Sequence, residues 1–304
     1  MRSSAVVVPA WVPGQNDRMG NGSNSILWPF TAGDGANIAL HDWPLADDAV
    51  QRGAVLVLHG LGEHAGRYGH VARQLNGWGF SVRGFDQYGH GESDGPRGAL
   101  PSATRLLDDL ADVVASTRAA LPPALPLILL GHSMGGLVSC LAVASRPLAL
   151  QGLVLSSPAL DPGLSALQKL LLAMLLRVAP DLRLGNGLDN RFISHDPQVV
   201  AAYRADPLVH DRISARLARF IAQGGPVVLA RAGQWTLPTL LMYAGSDRLV
   251  NAKGSRDFAA AAPAEVVSVR CFPDLYHEIF NEAGSGAVFD CLKAWLDARF
   301  PAAA

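Results

Sequence analysis

The stretch that decides the fold is LPLILLGHSMGGLVSCLAVAS, residues 125–145. Its first apolar run, Leu127–Leu130, predicts a buried strand, and the apolar run after the glycines predicts a buried helix. Ser133 falls on the sharp turn between them, where Gly131 and Gly135 carry no Cβ that could collide with the neighbouring strand and helix. This pattern predicts a nucleophile elbow, which holds a serine hydroxyl above the edge of a sheet. A glycine-rich turn with an incidental serine is the alternative.

Apolar runs on either side of this stretch extend the same pattern. Five of them predict further strands, separated by segments with helical spacing: Ala54–Leu58, Phe80–Phe85, Gly152–Leu155, Thr239–Tyr243 and Val266–Phe272. Strands that alternate with helices predict an α/β fold with a mostly parallel central sheet and helices on both faces. Ligands in such sheets bind beyond the carboxyl ends of the strands, and Ser133 follows one of these ends. Near the N-terminus, two short alternating runs around Gly33-Asp34-Gly35 predict a β-hairpin.

The alternation of strands and helices breaks at Asp161 and returns near position 226. We therefore predict a core of residues 25–160 and 226–304, with a helical cap, or lid, inserted at 161–225. Within this cap no segment has a convincing strand pattern. Residues 1–24, which prolines interrupt, are predicted to be a flexible extension.

The predicted cap contains an apolar helix, LSALQKLLLAMLLRV, residues 164–178. Its leucines, including Leu171 and Leu175, are more numerous than one face packed against a sheet requires. We expect part of this helix either to line a pocket for an acyl chain or to make transient contact with a membrane. Simple burial inside the cap is the alternative.

Two ionisable residues, Asp247 and His277, follow strand ends later in the chain. With Ser133 they give the chain order nucleophile, acid, base that is typical of a nucleophile elbow. Histidine, whose ordinary pKa is about 6.5, would accept the serine proton, and Asp247 would fix its tautomer and stabilise the imidazolium. Asp274 competes for the acid role but shares a loop with His277, and His90 precedes the nucleophile. The sequence therefore favours Ser133, Asp247 and His277 as a catalytic triad.

Glycines also follow the predicted strand 54–58, in HGLGEH, residues 59–64. They allow the loop backbone to approach Ser133. The backbone N–H groups of Leu61 and Met134 are therefore candidates to bind an oxyanion that forms beside the serine. An ordinary strand-to-helix turn is the alternative.

The composition argues against several classes of protein. The chain has 25 Lys and Arg against 26 Asp and Glu, so its net charge of −1 does not predict a nucleic-acid partner. Its three cysteines lack C-x-x-C spacing, and no metal-ligand cluster or dinucleotide fingerprint occurs, so we expect neither metal nor cofactor. No run reaches the roughly 18 apolar residues of a membrane span. We expect a cytoplasmic protein, peripheral to a membrane if the cap contacts lipid.

Several motifs together resemble one known family. They are HGLGEHAGRY (59–68), GHG (89–91), GHSMGG (131–136), DPLV (206–209), GSD (245–247) and YHE (276–278). This set is similar to that of the monoacylglycerol lipase and lysophospholipase branch of the α/β-hydrolases, and the match runs from about Ser25 to the final helix. The resemblance implies an α/β-hydrolase fold and serine-ester hydrolysis of monoacylglycerols or related single-chain lipids under a mobile cap.

Carried over by position, the resemblance makes the Leu61 and Met134 N–H groups the oxyanion donors. It also places Glu63, Arg67 and Tyr203 around the glycerol head of a substrate. The residues alone allow a plainer interpretation, in which Glu63 and Arg67, one helical turn apart, pair as a surface ion bridge and Tyr203 serves packing.

The chain departs from the family at two places. Gln87-Tyr88 stands where relatives often carry an arginine, and His195 stands in the cap where many carry arginine. Both departures leave the reaction chemistry intact and the head-group preference open.

The leading hypothesis is a carboxylic ester hydrolase without a cofactor that forms an acyl-enzyme on Ser133. Its substrate would be a small ester or single-chain lipid, either a monoacylglycerol or a short- to medium-chain acyl ester. A lysophospholipase, or a hydrolase of a bulkier non-lipid ester, is the alternative within the same chemistry. A non-catalytic ligand-binding protein on the same fold is a third hypothesis, although such a protein is expected to lack part of the triad.

Overall fold

A central sheet organises residues 25–302, the part of the chain that the computed structural model describes. The strands in this part are β1 (Ile26–Thr31), β2 (Asn37–Trp43), β3 (Gly53–Leu58), β4 (Phe80–Phe85), β5 (Leu127–His132), β6 (Gly152–Ser156), β7 (Arg183–Gly185), β8 (Arg212–Ser214), β9 (Thr239–Ala244) and β10 (Val267–Phe272). The central sheet has the order β1-β2-β4-β3-β5-β6-β9-β10. From β4 to β10 neighbouring strands are parallel, whereas β2 is antiparallel to both β1 and β4. The predicted hairpin and the mostly parallel sheet are confirmed.

Helices pack on both faces of this sheet. The helices of the described chain are α1 (Gly69–Gly77), α2 (Arg105–Ala120), α3 (Met134–Ser145), α4 (Ala166–Val178), α5 (Pro197–Ala205), α6 (Ala215–Leu229), α7 (Ala252–Ala261) and α8 (Gly286–Arg299). Successive residues of a strand face opposite sides. Leu56 and Leu129 belong to an apolar core with α2, α3, α6 and α7, while Val57 and Leu130 belong to a second core with α1 and α8. The predicted α/β architecture is therefore confirmed.

The connection between β6 and β9 carries α4, β7, α5, β8 and α6. Strands β7 and β8, of three residues each, form a separate antiparallel pair. The prediction that this region lacks strands is thus wrong. Strands of this length are too short to produce a recognisable alternation of apolar and polar residues.

The predicted end of the cap, Gly225, falls inside α6. Leu217 and Val228 of this helix are buried in the core that α3 also joins. A Cβ on Gly225 would lie 1.8 Å from the carbonyl oxygen of Leu160, so α6 lies tightly against the chain that leaves β6. We therefore assign α6 to the core and propose that the insertion, the name used below, comprises residues 161–214. The predicted extension, residues 1–24, lies outside the described residues.

Helix α4 lies on the outside of the insertion. None of its residues is buried. Five large apolar side chains are between 55% and 85% exposed: Leu167, Leu170, Leu171, Met174 and Val178. Burial of this helix inside the cap is therefore wrong. Within residues 25–302, no helix combines the length and the apolar character needed to cross a membrane.

The later part of the insertion is held on loops of the core. Three backbone hydrogen bonds of 2.8 Å make this connection: His210 N–H to Gly62 O, Ser214 N–H to Gly98 O, and Glu278 N–H to Ile193 O. Its segment around β8 is thereby fixed beside the loop that follows β3.

Candidate active site

Ser133 lies at the turn between β5 and α3 with a backbone φ of 52°. Its N–H donates to Ser156 O at 3.0 Å, and its carbonyl oxygen accepts from Leu137 N at 3.1 Å. A Cβ on Gly135 would lie 2.2 Å from the Leu58 carbonyl oxygen, so this position requires glycine. A serine in the left-handed region is strained, and this strain is the backbone signature of a nucleophile elbow.

The structure brings the three predicted triad residues together at the carboxyl ends of the strands. His277 Nε2 lies 2.8 Å from Ser133 Oγ, and His277 Nδ1 lies 2.6 Å from Asp247 Oδ2. The other carboxylate oxygen, Asp247 Oδ1, accepts from the backbone N–H groups of Leu249 and Val250 at 2.9 Å. These bonds orient the carboxylate, which in turn orients the imidazole ring.

Asp247 and His277 shift each other's pKa in the directions expected for an ionised carboxylate next to a catalytic base. Burial opposes ionisation of Asp247, but His277 and the two backbone N–H groups outweigh it, so the pKa of Asp247 is lowered from its ordinary value. Burial likewise opposes a charge on His277, but Asp247 outweighs it and raises the pKa of this histidine above 6.5. The imidazolium that forms when Ser133 gives up its proton is therefore stabilised in place.

The competing residues lie elsewhere. Asp274 is exposed at the surface, and the carboxylate that bonds His277 Nδ1 belongs to Asp247. His90 is fully buried, and its ring contacts the rings of His59 and His210 at centroid distances of 5.3 and 4.8 Å.

The loop after β3 passes directly beside the serine. A Cβ on Gly60 would lie 3.1 Å from Ser133 Cβ. Leu61 and Met134 line the same cavity as Ser133. Because Met134 is the first residue of α3, its N–H has no partner within the helix and lies at the positive end of the helix dipole. Both predicted oxyanion donors thus border the space next to the hydroxyl.

A buried ionic network adjoins the triad. Arg67 donates to Glu63 and makes two hydrogen bonds to Glu278, of 2.8 and 2.7 Å. Glu63 also accepts from the Tyr68 hydroxyl at 2.8 Å. The side chains of the three charged residues are only 4% to 11% exposed. The interpretation of Glu63 and Arg67 as a surface ion bridge is therefore wrong, because the pair is buried and has Glu278 as a third member.

The network carries a net negative charge. Burial raises the pKa of Glu63, but Arg67 and neighbouring groups outweigh it and bring this pKa to about 2. Burial opposes the charge on Arg67, yet Glu278 and Glu63 raise its pKa well above its ordinary value. The paired geometry at Glu278 is that of a carboxylate bound by a guanidinium. Two anions and one cation thus lie next to His277.

Three residues from the insertion were predicted to bind substrate, and only one of them lines the cavity. Tyr203 lines the cavity, and its ring centroid lies 4.6 Å from Arg67 Cζ. Leu171 and Leu175 are not among the lining residues, and Leu171 is 55% exposed. The expectation that they line an acyl pocket is wrong for this cavity, because Leu171 is exposed to solvent and the half-buried Leu175 does not border the cavity either. Leu164, just before α4, does line it.

A cavity of about 450 Å³ opens at Ser133 and His277. Its polar lining includes Glu63, Glu278 and Tyr203. Apolar side chains from the core and the insertion contribute much of the remainder: Met134, Ala159, Leu164, Ile213, Ile221 and Val250. The site therefore offers hydrogen-bonding groups and apolar surface next to one hydroxyl.

Sequence reasoning missed the roles of Glu278 and His132. The available signal for Glu278 was its place directly after His277, in the loop that carries the base. The His132 ring lies 4.8 Å from the His277 ring, and its Nδ1 lies 3.0 Å from Ser156 Oγ. Burial lowers the pKa of His132 to about 4, so at neutral pH it adds no charge beside the base.

Neither departure from the family lies on the cavity surface. Gln87 is buried under the loop that follows β3, where its amide donates to His59 O at 2.7 Å. His195 stacks on Tyr276 at 3.5 Å and bonds Glu282 through Nδ1 at 2.9 Å. These contacts give both residues roles in holding loops.

Among residues 25–302, no group of three or more His, Cys, Asp or Glu residues could hold a metal ion. The described residues that line the cavity also include no phosphate-binding glycine loop. The reactive side chains that line this site are a hydroxyl, an imidazole and carboxylates.

Comparison with known proteins places the chain among serine hydrolases. The family model described as "Serine aminopeptidase, S33" matches residues 49–284. The monoacylglycerol lipase of Mycolicibacterium smegmatis is 37% identical over 88% of this chain and 95% of its own length, and the monoglyceride lipase of Rattus norvegicus is 31% identical over 82% and 84%. The crystal structure of Paleococcus ferrophilus monoacylglycerol lipase superposes with a TM-score of 0.77 at 33% identity, covering 86% of this chain and 99% of that one.

Proposed function

Because this chain belongs to the monoacylglycerol lipase family of α/β-hydrolases and is a carboxylic ester hydrolase, we propose that it cleaves monoacylglycerols through an acyl-enzyme on Ser133. The observation that carries this proposal is the position of His277, with Nε2 2.8 Å from Ser133 Oγ and Nδ1 2.6 Å from Asp247. Imidazole in this position can take the serine proton as the bond to the ester carbonyl carbon forms.

The first half of the reaction forms the acyl-enzyme. Ser133 Oγ attacks the carbonyl carbon while its proton passes to His277 Nε2, and the carbonyl oxygen becomes an oxyanion bound by the N–H groups of Leu61 and Met134. When the tetrahedral intermediate collapses, the bond to the alcohol oxygen breaks. The proton on His277 then passes to that oxygen, and glycerol leaves with its third hydroxyl restored.

The second half regenerates the serine. A water molecule gives a proton to His277 and attacks the acyl carbon, and a second tetrahedral intermediate forms in the same oxyanion site. Its collapse breaks the bond to Ser133 Oγ, which recovers the proton from His277. The fatty acid is released, and no redox partner is required.

We propose that the ionic network binds the glycerol head. Glu63 and Glu278 present carboxylate oxygens that can accept hydrogen bonds from two free hydroxyl groups, while Arg67 holds both carboxylates in place. Tyr203, from the insertion, packs its ring against the guanidinium of Arg67. An alcohol that donates hydrogen bonds therefore matches these acceptors.

The same charges disfavour a lysophospholipid. A phosphate diester would bring a negative charge toward two carboxylates that share one cation, Arg67, which already bonds both of them. Like charges that approach in a desolvated site repel strongly. We therefore expect a neutral head group to be preferred to a phosphorylated one.

The test compares purified wild-type protein with Ser133→Ala on 1-octanoylglycerol, octanoyl lysophosphatidylcholine and 4-nitrophenyl butyrate. We expect octanoylglycerol to be hydrolysed with a kcat/KM at least about tenfold above that of the lysolipid, and kcat in Ser133→Ala to fall by about 10⁶. A fluorophosphonate probe should label the wild type only. Ser145→Ala, at the far end of α3, is the matched control and should keep full activity. Unchanged hydrolysis by Ser133→Ala would disprove the mechanism, and a preference for the lysolipid would disprove the head-group assignment.

We also propose that α4 makes peripheral contact with the surface that presents the substrate. Its five exposed apolar side chains form one patch, and Lys169 and Arg177 on the same helix can remain at a polar headgroup layer. Removing a few large apolar side chains from water is worth several kcal/mol, which is enough for reversible attachment.

Sedimentation with phosphatidylcholine vesicles tests this contact. Leu171→Asp with Met174→Asp should lower vesicle binding by about tenfold or more, since an apolar side chain is replaced by a charge at each position. The KM for octanoylglycerol in vesicles should rise, while that for soluble 4-nitrophenyl butyrate stays the same. Val269→Asp, which changes an exposed valine on edge strand β10, is the control and should bind like the wild type. Equal binding by all three proteins would refute the contact.

A further inference from the structure

Glu282 is a buried carboxylate that the proposed mechanism does not use. It follows His277 in the loop after β10, and its side chain is only 2% exposed. A carboxylate at such a depth is costly unless hydrogen-bond donors surround it. The structure supplies these donors from two separate parts of the chain, so the contacts of this side chain show what it holds in place.

The first partner of Glu282 is the residue directly before the catalytic base. Glu282 Oε1 accepts from the Tyr276 N–H at 2.6 Å. On the other side of His277, the Glu278 N–H donates to Ile193 O of the insertion at 2.8 Å. Both residues that flank the base are thus tied through their backbone N–H groups, one by the Glu282 carboxylate and one by the insertion.

The second partner is His195, which belongs to the insertion. Its Nδ1 lies 2.9 Å from the same oxygen, Glu282 Oε1, and its backbone N–H donates to Oε2 at 3.0 Å. Because a carboxylate can only accept, Nδ1 carries a proton and donates it to this bond. The His195 ring also stacks on the ring of Tyr276 with a centroid distance of 3.5 Å. One carboxylate therefore joins the insertion to the loop that carries the base.

The position of this loop decides whether His277 can act. Its ring needs two contacts at once, with Nε2 2.8 Å from Ser133 Oγ and Nδ1 2.6 Å from Asp247 Oδ2. A displacement of about 1 Å in a reacting group can lower a rate by about 100-fold. Since Tyr276 is joined directly to His277, loss of the bond between Tyr276 and Glu282 releases the chain next to the base itself.

We propose that Glu282 is a positioning residue for His277, and that the insertion takes part in this positioning because His195 binds the same carboxylate. This inference rests on the proposed acyl-transfer function. A carboxylate that only stabilised the fold would change the amount of folded protein. A carboxylate that positions the base changes kcat per folded molecule and leaves ester binding nearly intact.

The first test is Glu282→Gln, which keeps the size of the side chain but replaces one carboxylate oxygen by an NH₂ group that cannot accept. On 4-nitrophenyl butyrate, we expect kcat per site titrated with a fluorophosphonate to fall by about 10- to 100-fold, with KM within about twofold of the wild type. The acid limb of kcat/KM should also move to lower pH. Burial lowers the pKa of His277, and the Asp247 contact that outweighs it is weakened when the ring is displaced.

The control for this variant is Asp42→Asn. It changes another buried carboxylate, which pairs with Arg83 on β4 and does not line the cavity. This change should lower stability, but kcat per titrated site and the acid limb should both stay as in the wild type.

A second pair of variants tests the part played by the insertion. In His195→Asn the amide nitrogen replaces Nδ1 and can still donate to Glu282, whereas His195→Leu has no donor. We expect His195→Leu to lose about 3- to 10-fold in kcat and His195→Asn to lose less than about twofold. Combining His195→Leu with Glu282→Gln should give a kcat within about twofold of that of Glu282→Gln alone, since both changes act through one carboxylate.

The outcomes separate this inference from the proposed function. Wild-type kcat per titrated site in Glu282→Gln would overturn the positioning role, and losses that multiply in the double variant would overturn the coupling to the insertion. The His195 side chain is 48% exposed, so its variants should fold even if Glu282→Gln does not, and equal kcat in His195→Leu and His195→Asn would then overturn the proposal. If the wild type fails to hydrolyse esters, or does so without Ser133, the proposed function is at fault. If it is active and depends on Ser133 while the variants match it, only this inference fails.

Discussion

Helices α3 and α4 are of similar length and similarly apolar, but the fold uses them in opposite ways. Nine of the 12 residues of α3 are buried, and none of the 13 residues of α4 is. Leucine content alone would have placed α4 in the core before α3. What distinguishes them is the chain on either side, since α3 follows β5 through a glycine turn that admits close packing, while α4 begins after an open loop in the insertion.

Their N-terminal serines differ in the same sense. Ser165 caps α4, accepting from the Gln168 N–H while Gln168 accepts from the Ser165 N–H in return. Ser133 precedes α3 but makes no such cap, and its hydroxyl faces His277 instead. Packing stabilises a buried helix, so the serine at its N-terminus need not cap it and can serve in catalysis. An exposed helix depends more on local hydrogen bonds such as a cap.

The strongest test of the difference in burial between α3 and α4 is the same kind of side-chain truncation in each helix. Leu137→Ala in α3 removes a side chain that is fully buried and leaves a cavity, so the free energy of unfolding should fall by about 2–5 kcal/mol. Leu171→Ala in α4 removes an exposed side chain and should change that free energy by less than about 0.5 kcal/mol. Urea unfolding followed by circular dichroism measures both. Similar losses in the two variants would mean that α4 is buried in solution.

Acid should act on the buried region and not on α4. His132, just before the elbow, has a pKa of about 4 in the folded protein against an ordinary 6.5, so between these values the unfolded chain binds a proton that the native chain does not. Its contribution to stability is therefore complete above pH 6.5 and is lost as the pH falls toward 4, at up to about 1.4 kcal/mol per pH unit.

The comparison for this prediction is urea unfolding of wild type and His132→Asn at pH 7 and pH 5. The variant keeps a polar group near Ser156 but removes the titration, so its loss of stability between the two pH values should be smaller. The only ionisable side chains of α4 are Lys169 and Arg177, so this helix carries no histidine and no carboxylate. Equal losses in wild type and variant would show that His132 does not titrate as described.

The smallest expected effect concerns the cap of α4. Ser165→Ala removes one side of the capping box and should destabilise this helix by about 1 kcal/mol. Amide hydrogen exchange should accelerate in the first turns of α4 and remain unchanged in α3. Exchange that stays unchanged in α4 would indicate that tertiary contacts, and not the cap, hold this helix.

The sequence predicted the sheet and the approach of Ser133, Asp247 and His277 because each rests on a local rule. Apolar runs mark interior strands, and parallel strands bring the loops after their carboxyl ends to one edge. Even the Glu63–Arg67 pairing followed from helical spacing. Its burial did not, because that depends on Glu278, which lies 211 residues from Arg67.

The parts that escaped prediction depend on contacts between distant segments. Periodicity showed that α4 is apolar but carried no information about what covers it, so Leu171 and Leu175 were assigned to a pocket that they do not line. The short pair of β7 and β8 gave no pattern at all. Nor did any local rule connect Gln87 with the loop after β3, because that contact exists only once β3 and β4 lie side by side.

The open exposure of α4 has an evolutionary consequence. A methyl group at Gly135 would lie 2.2 Å from the Leu58 carbonyl oxygen, so a substitution at this position would prevent correct packing of the elbow. Substitutions on the outer side of α4 meet no such barrier, since they leave the core unchanged. Descendants of this chain could thus change the exposed surface of α4, step by step, while the reacting groups of the core stay as they are.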